Sequence, residues 1–96
     1  MPVLVLVEAR TRPEHTDTMI QGLARGLPGT RRAEGCRSID VYLEEDGRTV
    51  VAVESWDSKD HYQSYLKWRE ESGALKAMDA LLEAPLHIRF LSALDV

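Results

Sequence analysis

The side chains most able to handle protons lie late in the chain and in its middle. His87 and Arg89 are two residues apart, so on an extended backbone they share one face. An imidazole titrates near neutrality and suits a general base, and a guanidinium beside it can hold the anion that the base creates. Tyr42 adds a phenolic donor for a substrate oxygen. These three are the candidate catalytic residues. Each also has a plainer reading: His87 as a rim residue at a strand start, Arg89 as the partner of Glu54 or Glu8 across a sheet, and Tyr42 as a packing tyrosine with its hydroxyl in water. The candidate binding residues are Leu6, Glu54, Trp56, His61, Tyr65, Trp68 and Arg69. Trp56, Tyr62, Tyr65 and Trp68 form an aromatic supply on which a flat substrate would stack, although aromatics at helical spacing also build cores and dimer seams. Arg69 either overhangs a pocket mouth with Trp68 or makes a weak surface ion pair with Glu70 or Glu71. His61 is pocket-lining or exposed, and His15 is expected to be exposed.

Other chemistries lack their signatures. There is no Gly-rich phosphate loop, no G-x-G-x-x-G and no helical histidine pair at metal spacing. The three histidines are well separated, so no metal is expected. The single cysteine, Cys36, excludes an internal disulfide and reads as a small buried hydrophobe. A net charge of -4 with scattered basic residues argues against a nucleic-acid surface. The N-terminus enters an apolar strand without a basic leader, and no stretch is long and apolar enough to span a bilayer. A soluble cytoplasmic protein with no membrane or nucleic-acid partner is the expectation.

The elements that must position these groups can be read along the chain. Its 96 residues carry no linker or repeat, so residues 1–96 form one domain. Residues 3–10 read as a strand, and Pro13 falls near the first turn of a helix. Met19, Ile20, Leu23 and Leu27 recur at helical spacing until Pro28-Gly29, which should kink or end the helix. Two alternating runs, 36–44 and 48–56, are joined by Glu45-Asp46-Gly47, a strong hairpin signal. Asp57 or Ser58 caps a second helix whose face carries Tyr62, Tyr65, Leu66 and Arg69. Gly73 interrupts it, Pro85 stops it, and residues 86–94 read as a last strand. The order strand, helix, strand, strand, helix, strand predicts an α+β, ferredoxin-like βαββαβ fold with a four-stranded antiparallel sheet and both helices on one side.

Sorting the strands by parity gives two faces. One is almost wholly apolar: Val3, Val5 and Val7, Ile39, Val41 and Leu43, Val51 and Val53, Leu86, Ile88 and Phe90. That set is expected under the helices. The other is mixed and holds Leu4, Leu6, Glu8, Tyr42, Val50, Ala52, Glu54, Trp56, His87, Arg89 and Leu91. It is too apolar for water, so a homodimer is expected in which two sheets close on each other and the gap between them takes a ligand.

Several segments resemble the antibiotic biosynthesis monooxygenase family of the dimeric α+β barrel superfamily: Val7-Glu8-Ala9 closing the first strand, Arg-x-x-Glu-Gly-Cys at 31–36, and Glu54-Ser55-Trp56. The run Tyr65-Leu66-Lys67-Trp68-Arg69-Glu70, followed by Gly73 and Pro85, is similar to the second helix of quinol monooxygenase-like members. The resemblance implies an enzyme that oxygenates a quinol, polycyclic phenol or anthrone without flavin, haem or metal. It implies no cofactor, because the deprotonated substrate itself reduces dioxygen. Haem-degrading relatives carry an asparagine on the first strand and an iron-binding histidine on the second helix; this chain has no asparagine and reads Leu75-Lys76-Ala77-Met78-Asp79-Ala80 there. An oxygen-independent isomerase or cyclase, or a non-catalytic binding module, would use the same pocket.

Overall fold

Strand β1 (Val3–Arg10) is the hub of the sheet, because its alternating Val and Leu side chains are apolar on both faces and both of its edges are paired. In the computed structural model, which describes residues 2–96, β2 (Cys36–Leu43), β3 (Thr49–Trp56) and β4 (His87–Leu91) complete an antiparallel sheet in the order β2-β3-β1-β4. This is the expected ferredoxin-like α+β topology. A 3-10 turn at Pro13–His15 leads into α1 (Thr16–Arg31), and α2 (Lys59–Glu71) and α3 (Ala74–Asp79) follow the hairpin. Pro13 occupies the start of the turn, where its missing N–H is harmless. Of the two expected caps for α2, Ser58 takes the role, its hydroxyl accepting from the His61 backbone N–H at 3.1 Å. Gly73, with φ of 82°, separates α2 from α3.

At the element ends one open expectation is decided and one is corrected. Of the two outcomes expected at Pro28, a kink or an end, the helix does not end there but runs on to Arg31. The last turn is tied down by the Thr30 hydroxyl, 2.6 Å from that of Tyr65, and by the Arg31 guanidinium, which donates to the Ile39 carbonyl at 3.1 Å. The last strand is shorter than 86–94. Leu91 pairs with Leu4 near the start of β1, so residues beyond it have no neighbouring strand to join.

The register of β3 is the larger correction. Val3, Val5, Val7 and Ala9 stand opposite Trp56, Glu54, Ala52 and Val50, and residues directly opposite share a face. Val50, Ala52, Glu54 and Trp56 therefore face the helices, while Val51 and Val53 face away. The cause is one residue of loop. A loop of Glu45-Asp46-Gly47 alone would pair Glu44 with Arg48; instead Glu44 N–H donates to the Thr49 carbonyl at 2.9 Å and Leu43 pairs with Val50. Arg48 is drawn into the turn by donating its N–H to Asp46 Oδ1 at 2.9 Å, and a slip of one flips the whole strand.

The core consists of two small clusters under the helices. Ala9, Met19, Val50 and Leu82 form one, and Val5, Trp56 and Tyr62 the other. At the outer end the connector before β4 is laced to β1: Arg12 N–H donates to the Leu81 carbonyl at 3.0 Å and Glu83 N–H to that of Arg10 at 2.8 Å.

Candidate functional site

Between the two clusters the helices stand off the sheet. Small residues cause this, with Gly22 and Gly26 on α1 and Ala52 on β3 facing one another across a cavity of about 390 Å³. That volume suits a small organic ligand.

Glu54 stands on the floor of this cavity, in the middle of the sheet, between Val5 and Ile39. It is only 5% exposed. Its Oε1 accepts from Trp56 Nε1 at 2.9 Å, and that indole is fully buried. Burial pushes the Glu54 carboxyl above the ordinary glutamate range; the indole hydrogen bond and the positive charge of Arg69 oppose the rise. The result is a carboxylate with more than usual appetite for a proton.

Arg69 lines the same cavity from α2. The ion pairs among the described residues join Arg10 and Arg48 to Glu83, Arg37 to Asp57, and Arg89 to Glu8, so Arg69 has no carboxylate within ion-pair distance. Its guanidinium lies 5.9 Å from the Tyr65 ring centre, and a Cβ on Gly26 would come within 3.8 Å of its Nη1. That is ordinary van der Waals contact, so the guanidinium lies against the Gly26 turn of α1.

The aromatic wall comes from α2. Tyr62 meets Trp56 edge-on at 5.5 Å between ring centres, and Tyr65 lies at 5.2 Å from the same indole. Burial, reinforced by the Glu54 charge, holds the Tyr62 phenol well above its ordinary range, so it stays a proton donor. Thr30 closes this end through its hydrogen bond to Tyr65. Tyr62 belongs to the aromatic supply expected from sequence, whereas Thr30 is not among the expected site residues. The spacing Met19, Leu23, Gly26 and Thr30, which continues the inner face of α1, was the available signal for Thr30.

The expected site residues thus divide into three groups. Glu54, Tyr65 and Arg69 line the cavity, and Trp56 backs it through Glu54 and Tyr65. Leu6, Tyr42, His87 and Arg89 stand on the opposite face of the sheet, outside it. There Arg89 pairs with Glu8 at 3.3 Å, His87 stands beside Glu8 on the neighbouring strand, and Tyr42 is 59% exposed. His61 and Trp68 line a separate hollow of about 550 Å³ between α2 and the end of α1. That hollow is larger, yet none of its lining side chains is buried, so it lacks a desolvated carboxylate such as Glu54 in the inner cavity. His61 instead holds the start of α2 against the turn before β2. Its Nδ1 lies 2.7 Å from the Ser58 hydroxyl, and a Cβ on Gly35 would fall 2.5 Å from its ring. Among the described residues no group of three or more His, Cys, Asp or Glu could hold a metal, and no helix is long and apolar enough to cross a membrane.

Residues 2–80 match the family described as antibiotic biosynthesis monooxygenase. The chain is 31% identical to the Mycobacterium tuberculosis protein called "Putative monooxygenase Rv0793", over 98% of this chain and 93% of the relative. The structure of that protein superposes with a TM-score of 0.82 at 27% identity, covering 100% and 98% of the two chains. A monooxygenase from the ActVA-Orf6 gene of Streptomyces coelicolor, in complex with the ligand nanaomycin D, superposes with a TM-score of 0.79 at 20% identity over 98% of this chain and 88% of that one.

Proposed function

Because the chain belongs to the antibiotic biosynthesis monooxygenase family, we propose that it oxidises a quinol, polycyclic phenol or anthrone-type substrate with dioxygen in the cavity between helices and sheet. The observation that carries this is a buried carboxylate together with an arginine that has no ion-pair partner among the described residues, both facing one apolar, aromatic-walled space. Glu54 accepts the acidic proton of the substrate, and Arg69 holds the resulting anion. The aromatic side chains exclude water, so the electrostatic terms act at full strength. The anion then passes electrons to dioxygen; one oxygen atom enters the product and the other leaves as water. Electrons come from the substrate, so the scheme calls on no cofactor. The ligand recorded for the Streptomyces relative accords with a small-molecule site in this fold.

The same reading has a second copy of the chain covering the open face of the sheet, as a dimeric α+β barrel. Leu4, Leu6, Val51, Val53, Leu91 and Tyr42 stand there, and Leu4, Leu91 and Tyr42 are 38%, 39% and 59% exposed. Fully burying six such side chains is worth about 9–18 kcal/mol, and roughly half of that remains to be gained because several are already half-buried. Sedimentation at micromolar concentration is expected to give a dimer, and a folded monomer there overturns this part.

An oxygen electrode tests the reaction. Dihydroxynaphthalenes and anthrone, without added cofactor, should consume oxygen faster than they autoxidise, and anaerobic incubation should leave them unchanged. Uptake at the autoxidation rate overturns the monooxygenase reading, and conversion that proceeds equally without oxygen replaces it with an isomerase or cyclase.

A further inference from the structure

The cavity is polarised along its length. At one end stand Glu54, Arg69, Tyr62, Tyr65 and Thr30. At the other the lining is aliphatic: Met19 and Leu23 from α1, Val50 from β3, and Met78 and Leu81 from α3 and its exit. On β3 the gradient can be read residue by residue, since Glu54, Ala52 and Val50 follow one another on the same face. Four residues of strand separate Glu54 from Val50, about 13 Å at the usual rise. A single hydroxylated ring under Glu54 and Arg69 covers only part of that length. The remainder is bounded by side chains that offer no hydrogen bond, and its polar neighbours Thr18 and Arg25 are solvent-exposed residues at the rim.

From this we infer that the substrate carries an aliphatic substituent, an alkyl chain or saturated ring several carbons long, on the side of the aromatic ring away from its acidic hydroxyl. The inference rests on the cavity being the substrate site. An apolar tail is the occupant that the far end fits. A polar tail would forfeit its hydration there without a partner, and an empty far end would leave hydrophobic surface uncovered. The two methionines at that end are unbranched and adaptable, which suits a flexible chain better than a rigid fused ring.

A series of redox-inert 4-alkylphenols, from 4-methylphenol to 4-hexylphenol, reads the tail directly by titration calorimetry on the whole protein. Affinity is expected to rise about fourfold per added methylene, the equivalent of about 0.8 kcal/mol for each buried CH2, and to level off once the chain reaches Val50. A 4-(hydroxyalkyl)phenol should bind more weakly than the alkylphenol of equal length. Arg69→Gln should weaken every member by the same factor, whereas Met78→Trp, which fills the aliphatic end, should flatten the dependence on chain length. Affinity independent of chain length, or a slope that survives Met78→Trp, overturns the tail while leaving the phenol site standing. Failure of every member to bind removes the phenol site itself, and the tail with it. The alkyl series on the unmodified protein decides the matter even if a variant does not fold.

Discussion

Replacing Glu54 by Gln separates the handling of a proton from the packing around it. Glutamine keeps the shape of the side chain, and its amide oxygen can still accept the Trp56 Nε1 hydrogen bond now 2.9 Å long, so the buried indole keeps its partner. The exchange turns a charge-assisted hydrogen bond, worth about 1.5–3 kcal/mol, into a neutral one worth about 0.5–1.5 kcal/mol. Against that loss of about 1–1.5 kcal/mol stands the penalty for holding an ionised group away from water, still several kcal/mol after relaxation. The balance favours glutamine wherever the native carboxyl is ionised. Linkage points the same way. Burial raises the Glu54 pKa above its ordinary 4.5, so its contribution to stability is complete below that value and is lost as pH rises through the folded value. E54Q is therefore expected to be at least as stable as the parent at pH 8, with the difference shrinking toward pH 4, in urea denaturation followed by tryptophan fluorescence. Activity should move the other way, with kcat for oxygen uptake falling about 10²–10⁴-fold. Glu54→Ala is the contrast, because it leaves the indole N–H without an acceptor and costs about 1–3 kcal/mol. An E54Q protein with parental turnover, or one about 2 kcal/mol less stable at pH 8, refutes the reasoning.

Gly35→Ala should destabilise the fold by about 2 kcal/mol or more: Gly35 has φ of 86°, and the added Cβ would lie 2.5 Å from the His61 ring. Chemical denaturation measures it, and a neutral result contradicts the close packing of that turn on α2. Gly22→Ala should raise stability by about 0.8–1 kcal/mol, since nothing lies within 4 Å of the new Cβ in the helix, while it narrows the cavity; thermal melting checks the gain and alkylphenol affinity the cost. Asp46 accepts from the Thr49 hydroxyl and from the backbone N–H groups of Arg48 and Thr49, which lower its pKa to about 2. Its contribution to stability is thus present above the ordinary value of 3.8 and lost as pH falls toward 2. Asp46→Asn should therefore lower the melting temperature at pH 7 and lose its effect near pH 2, as a pH series of melts would show.

The topology was legible because each element announces itself locally. The doubly apolar first strand, the Asp46-Gly47 turn, the Ser58 cap and the Gly73 break all fall where expected. The face of β3 was harder to read. Val50, Val51, Ala52 and Val53 are apolar in succession, so hydrophobicity does not choose a side, and the one charged residue nearby, Glu54, argues for the wrong one. What turns Glu54 inward is the extra loop residue, Arg48, held in the turn by Asp46; the Trp56 indole two residues along and the charge of Arg69 from α2 then support the carboxylate there, and none of this follows from periodicity. Misplacing β3 put Glu54 and Trp56 together with His87 and Arg89, whereas the sheet itself lies between them. Tyr65 and Arg69 were readable because helical spacing fixes their common face whatever the sheet does. The aliphatic end of the cavity was hidden for another reason: Met19, Leu23 and Met78 read as ordinary core until the space that Gly22, Gly26 and Ala52 leave beside them is seen.

A crystal structure of the protein with a bound hydroxylated anthraquinone locates the working site. The ring is expected between α1, α2 and the inner face of β3, with one oxygen about 2.6–3.2 Å from the Glu54 carboxyl and the guanidinium of Arg69 on the same side. A ring lodged instead on the outer face of the sheet, against His87 and Arg89, would contradict a site built on Glu54.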